Sequence, residues 1–378
     1  MPIFRSLNLE EDRWFDVFVD CMLGGKPAVL GAEFTKEWPS RTQWITKEKR
    51  PSLKRLAEKF RSMEIPVIDE EENSDYVDMK LADFAEYFEG TDRSRRLYAK
   101  DWHLQRDTGC VPYELPAFLQ SDWFNGEKKS FVGDYRFCYA GVEGTWTKFH
   151  CDVMNSYSWS ANICGRKLWY FVPPGREERF RVSKDDFVAD IRQLREAWDE
   201  AGVIELVQEE GEIVFVPSSW HHQVHNLKDT ISINHNFINS SNIDLVFAAL
   251  EKRLGEVFAE IKDSRSLFSE EEFAHQIQLI MKADIRIDIP TFAEFLDFIV
   301  ADRSAKVSGC WICPRHANIF DCKTTFRCQQ QFKDHFKKRC TCDSVLSKHI
   351  CNFCRELLMS YELSCCIEIH RRLGNIRV

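Results

Sequence analysis

Between about residues 97 and 240 the chain alternates short apolar runs with Gly, Pro, Asn and Asp, whereas on either side apolar positions recur at helical spacing. In the middle stretch, strands are predicted at Leu97-Tyr98, Tyr135 to Ala140, Phe149 to Val153, Ser156 to Cys164, Leu168 to Val172, Glu212 to Val216, Trp220 to His225 and Thr230 to Phe237. Many short strands separated by turn residues imply a sandwich or barrel rather than alternating βαβ units. A helical insert is expected over Lys184 to Glu200.

Before this core, helices are predicted over residues 8 to 24, Lys54 to Met63 and Lys80 to Phe88, with a short strand at Pro27 to Leu30 and a solvated acidic loop at Asp69 to Asp75. After it, Asn242 opens a helix to about Ile261. Ser269 and Glu272 form a capping box for a helix to about Met281, and Pro290-Thr291 starts another that ends near Ala305. The expected organisation is a helical and mixed region over 1–96, a β-core over 97–240, helices over 241–305 and a Cys-rich, partly helical tail over 306–378.

Composition sharpens the last boundary. The whole chain carries a net charge of -9, yet residues 306–378 hold 13 basic and 6 acidic side chains. Ten of the 15 cysteines lie at or after Cys310. With no apolar run near the roughly 20 residues that span a bilayer, and no leader-like start, the expectation is a soluble intracellular protein, cytoplasmic or also nuclear. Its cysteines would then be thiols or metal ligands rather than disulfides.

The chemistry begins at FHCDVMNSYSWSANICGRKLWYFVPP, residues 149–174. In a strand, residues i and i+2 share a face, so His150 and Asp152 can present an imidazole and a carboxylate to one point. Seventy residues on, VFVPSSWHHQVHNLKDTISINHNF supplies His221, His222 and His225. Strand parity groups His222 with Val224 and Asn226, and His221 and His225 with Gln223; a site inside an apolar barrel favours His222, with the other two open. Two histidines and one carboxylate leave three coordination positions free, the facial triad of non-haem Fe(II) oxygenases, whereas zinc would close its sphere. Lys167 shares parity with Trp169 and Phe171 on a buried face, and a buried ammonium needs an anion, such as the far carboxylate of a chelating dicarboxylate.

These segments, HCD, GRKLWYFVPPG and GEIVFVPSSWHHQVHNLKDTISINHNF, together with WPSRTQW, LYAKDWHL and DYRFCYAG, resemble the jumonji-C dioxygenases over about residues 28 to 300, and within them a lysyl hydroxylase branch. The resemblance implies a mainly β fold with flanking α: a double-stranded β-helix, jelly-roll or cupin-like, with N- and C-terminal helices. It implies Fe(II), 2-oxoglutarate and dioxygen, with iron on His150, Asp152 and His222. Lys167 would bind the distal carboxylate of 2-oxoglutarate, with Thr147, Tyr98 and Asn234 in the same pocket, and Trp159, Trp169 and Phe171 would dry the cavity. The implied reaction is hydroxylation of a lysine on a translation release factor. Lysine demethylation and a non-catalytic interaction role are the alternatives.

The tail stands apart from that resemblance. Cys310, Cys313, His316 and Cys322 have spacing suited to zinc, while Cys351 and Cys354, in a helix expected over 347–373, equally describe one buried face. Its positive charge could dock RNA or an acidic partner, although a solvated basic face is the plainer explanation.

Overall fold

The computed structural model describes residues 5–6, 17–70, 75–125, 133–183, 186–306 and 365–374. Its strands are β1 (Arg5–Ser6), β2 (Ala28–Leu30), β3 (Glu64–Asp69), β4 (Tyr76–Lys80), β5 (Leu97–Trp102), β6 (Arg136–Gly141) and β7 (Trp146–His150), followed by β8 (Tyr157–Cys164), β9 (Lys167–Val172), β10 (Ile204–Gln208), β11 (Ile213–Val216), β12 (His221–Asn226) and β13 (Thr230–Phe237). They form a nine-stranded sheet, β1-β2-β11-β8-β13-β6-β5-β3-β4, and a four-stranded sheet, β10-β9-β12-β7. Apart from the parallel β1·β2 pair, the strand pairs are antiparallel. The result is the expected jelly-roll-like core with flanking helices.

Alternation along the strands assigns the layers. In β9, Trp169 and Phe171 join Val214, Val216, Trp220 and Val224 in an apolar layer between the sheets. The opposite parity, Tyr170 and Val172, packs with Phe149, Phe180, Ile191 and Trp198 on the outer face of the small sheet. Behind the large sheet, Ile65, Val67, Ala99, Ala140, Ala161 and Ile231 bury against α1 (Lys54–Lys59) and α2 (Leu81–Glu89) through Leu56, Phe84 and Phe88.

At the other end, α3 (Ile243–Ile261), α4 (Glu270–Ile285) and α5 (Ile289–Lys306) share a second core with Trp123 and Ile238. The capping box on α4 is formed: Ser269 Oγ accepts from the Glu272 N–H and the Glu272 carboxylate accepts from the Ser269 N–H. A last helix, α6 (365–373), returns the tail to this core, with Cys366 and Ile369 buried in it.

Several expectations are corrected. The insert at 184–200 is not one helix: Ile191–Ala197 is 3-10 with a kink at Leu194, and only Trp198–Ala201 is α-helical. Its apolar anchors Ile191 and Trp198 reach the sheet from short turns, so a continuous helix is not needed to bury them. Asp69 is not solvated but buried at the end of β3, paired with Arg95. Of the helix predicted over 8–24, Phe18–Leu23 is a π-helical turn and residues 8–16 lie outside the described residues. Cys310, Cys313, His316, Cys322, Cys351 and Cys354 lie outside them too.

Candidate functional site

His150 ends β7 and His222 is its directly opposed partner on β12, so strand pairing alone brings the two imidazoles together, with ring centroids 4.3 Å apart. Asp152 arrives differently from the expected single strand. Strand β7 stops at His150, and Asp152 caps a turn at Val153–Asn155, where Met154 and Asn155 are left-handed (φ 51° and 55°). Asn155 Oδ1 in turn accepts from Ser219 Oγ, tying this turn to the one before β12.

One ligand atom from each of His150, Asp152 and His222 lies within 4.8 Å of the others, close enough to share one ion. The surroundings fit a metal. His150 Nδ1 lies 2.7 Å from the Lys148 carbonyl and His222 Nδ1 3.2 Å from the Trp220 carbonyl. A carbonyl only accepts, so both Nδ1 atoms carry the proton and both Nε2 lone pairs are free for the ion. The Asp152 carboxylate accepts from Ser158 Oγ (2.7 Å) and Asn236 Nδ2 (2.8 Å), which fix its plane and leave lone pairs on each oxygen.

Burial, then the neighbouring His222, pushes the pKa of His150 down to about 4; burial lowers His222 as well. Both rings are therefore neutral at ordinary pH, the state a ligand requires. His222 also lies against Trp169 and Phe171, which stack on each other at 5.4 Å.

The other two histidines point away. His221 packs on Phe149 and Phe187 outside the small sheet, and His225 stacks on Trp146 and contacts Gln223 at 2.7 Å. The parity argument thus resolves on His222.

The three residues line a cavity of about 550 Å³, and Lys167, Thr147, Tyr98 and Asn234 line it with them. Lys167 is 2% exposed, and among the described residues no carboxylate lies within 4.0 Å of its ammonium. Burial lowers its pKa to about 7. The turn that delivers it depends on Gly165 (φ 96°), where a Cβ would lie 2.3 Å from the Asp229 carbonyl oxygen. Tyr98 is buried beside Thr147 and Asn226, and Asn234 donates to Ser232 Oγ at 3.1 Å. Trp159 reaches the cavity wall but belongs to the core behind the large sheet, where its ring lies 4.2 Å from that of His235.

Sequence reasoning missed Ser158 and Asn236, the carboxylate's partners, and Ser160, whose buried hydroxyl at the cavity wall has no hydrogen-bond partner among the described residues. A signal existed: Ser158 and Ser160, like Asn234 and Asn236, are polar residues at alternate positions of otherwise buried strands.

Comparison with known proteins agrees with this geometry. The family model for "JmjC domain, hydroxylase" matches residues 137–237, spanning β6 to β13. The chain is 38% identical over 324 residues to the 2-oxoglutarate and iron-dependent oxygenase JMJD4 of Danio rerio, covering 80% of this chain and 75% of that one. It is 39% identical over 302 residues to the protein of the same name from Homo sapiens, covering 75% and 72%. To the Arginine-specific demethylase JMJ20 of Arabidopsis thaliana it is 32% identical over 300 residues, covering 72% and 65%.

Proposed function

Because this chain belongs to the JmjC-domain 2-oxoglutarate and iron-dependent oxygenases, we propose that its reaction is hydroxylation of a lysyl side chain on a protein, a translation release factor. The observation that carries the reading is the convergence of His150, Asp152 and His222 within 4.8 Å, in a cavity whose wall also holds a buried lysine with no carboxylate partner among the described residues.

When bound, iron and 2-oxoglutarate supply the oxidising chemistry: one dioxygen atom leaves in succinate, carbon dioxide is released, and the other enters a substrate C–H bond. The chain's own residues prepare that event. His150, Asp152 and His222 would hold the metal through two imidazoles and a carboxylate, a donor set that suits iron. Lys167 neutralises the distal carboxylate of 2-oxoglutarate, an anion whose arrival supports the ammonium that burial otherwise disfavours. The hydroxyls of Tyr98, Thr147 and Ser160 and the amide of Asn234 line the same cavity and provide donors for the rest of the cosubstrate. Trp169 and Phe171 back His222 with apolar surface and keep water from that side of the metal.

Protein hydroxylation is favoured by the resemblance to the lysyl hydroxylase branch, which LYAKDWHL (97–104) and SWSANICGRK (158–167) share in carrying. The name of the Arabidopsis relative supports a second reading, demethylation of a protein side chain, since both reactions begin at a C–H bond beside the same metal. The test is 2-oxoglutarate turnover with Fe(II) and release-factor peptides, followed by mass spectrometry. Gain of one oxygen on lysine supports the proposal; loss of a methylene from a methylated peptide, with no oxygen retained, replaces it with the second reading. Asp152→Ala should abolish turnover by removing a ligand, and turnover that survives it would overturn the metal assignment.

A further inference from the structure

Away from the metal, the cavity wall holds a carboxylate that the proposed chemistry leaves unused. Asp101 lies in β5 where pairing with β6 slips between Ala99 and Trp102, and its backbone is left-handed (φ 58°). Successive strand residues normally face opposite sides, yet here Lys100 and Asp101 both line the cavity. A non-glycine residue keeps that conformation only where its surroundings fix it. Two tyrosines do so: Tyr139 Oη donates to Asp101 Oδ1 at 2.7 Å, and Tyr76 Oη donates to Oδ2.

Among the described residues this carboxylate closes no ion pair. Among the described residues no lysine, arginine or histidine nitrogen lies within 4.0 Å of it. The adjacent Lys100 lines the same cavity; burial lowers its pKa, while the charges of Asp101 and Glu70 favour its ammonium, so it attracts Asp101 through space without closing an ion pair. Glu70, the other acid of this wall, is engaged by the Trp146 N–H at 2.7 Å.

Aromatic rings complete the surroundings. Phe137 and Tyr139 stack at 6.2 Å, Tyr98 meets Tyr139 edge-on at 6.1 Å, and all three line the cavity. A clamped carboxylate beside ring faces is the combination that holds an organic cation, through charge-assisted hydrogen bonds and ring quadrupoles.

We propose that Asp101 is the counter-ion for the ammonium group of the substrate side chain, held for that purpose by Tyr76 and Tyr139, so that the cavity selects a lysyl-type chain over a neutral chain of equal length. The assignment rests on the reading of this cavity as an oxygenase substrate site, and it adds the residue that reads charge.

The experiment measures binding of n-butylammonium, a lysine side-chain surrogate, and of neutral n-butanol to the full chain by ligand-observed NMR. Asp101→Asn is the informative variant, because asparagine keeps the shape and tolerates the left-handed backbone while losing the charge. Wild type should bind the ammonium at least about tenfold more tightly than the alcohol. Asp101→Asn should weaken ammonium binding by about tenfold and leave the alcohol unchanged. Tyr139→Phe, which frees one carboxylate oxygen to move, should fall between. Equal loss for both probes in Asp101→Asn would mean a purely structural clamp, and no loss for either would mean that Asp101 faces no ligand; both overturn the inference. A parallel titration of wild type with 2-oxoglutarate separates the layers. If 2-oxoglutarate does not bind, the oxygenase reading itself fails; if it binds while the ammonium ignores Asp101, only the present assignment falls.

Discussion

Replacing Lys167 by Met should make the cosubstrate-free protein more stable while removing its response to 2-oxoglutarate. The lysine is fully buried, and burial lowers its pKa from 10.5 to about 7. Unfolding returns the side chain to water and to its ordinary value. At about 1.36 kcal/mol for each unit of displacement, holding it in the fold costs roughly 5 kcal/mol at low pH.

The sign follows from the direction. The folded protein binds this proton more weakly than the unfolded chain, so the cost is full below about pH 7 and recedes as pH rises toward 10.5. Methionine fills most of the same volume with no charge, and imperfect packing returns about 1 kcal/mol of the gain. Urea unfolding of the two proteins should therefore show the variant ahead by a few kcal/mol at pH 6, with the gap closing by pH 10. Added 2-oxoglutarate should raise the melting temperature of wild type and not that of the variant. A variant less stable than wild type at pH 6, or a gap that ignores pH, would refute the buried-charge argument. Equal stabilisation of both proteins by 2-oxoglutarate would refute Lys167 as its anchor.

Ser158→Ala and Asn236→Ala each free one oxygen of Asp152 and should weaken metal affinity roughly 10- to 100-fold, measured by metal titration of the purified chain. Because burial holds His150 neutral down to about pH 4 and lowers His222 as well, metal affinity should fall less between pH 8 and 6 than that of two ordinary imidazoles; a fall as steep as theirs would contradict this. Ser269→Ala removes the cap of α4 and should lower unfolding free energy by about 1 kcal/mol without changing metal affinity.

Strands that bury one face between neighbours were legible from alternation, as β8, β9, β12 and β13 illustrate. Those at margins were not. Strand β4 pairs with β3 alone among the described strands and is mostly exposed, so no apolar period marks it. Strand β3 does alternate, with Ile65, Val67 and Asp69 inward, but Pro66 and the acidic run that follows hide it. Strand β10 is an edge strand with only Gln208 fully buried.

In the site, the His150–His222 pair was accessible because both sit on regular strands, while the path to Asp152 was not. Two left-handed residues at Met154 and Asn155 bend the chain there; asparagine adopts that conformation readily, but methionine gives no sign of it. Asp101 was hidden for the same reason: only the φ reversal turns it into the cavity beside its neighbour.

The two histidines belong to the small sheet, whereas the carboxylate of Asp152 is tied by Ser158 on β8 and Asn236 on β13 to the large one. An ion bound at this seam would be fastened to both layers and would act as a strain gauge between them. Thinning the apolar filling, for instance with Val216→Ala on β11, would change the spacing that the ion spans and so alter its ligand-field spectrum without touching any ligand.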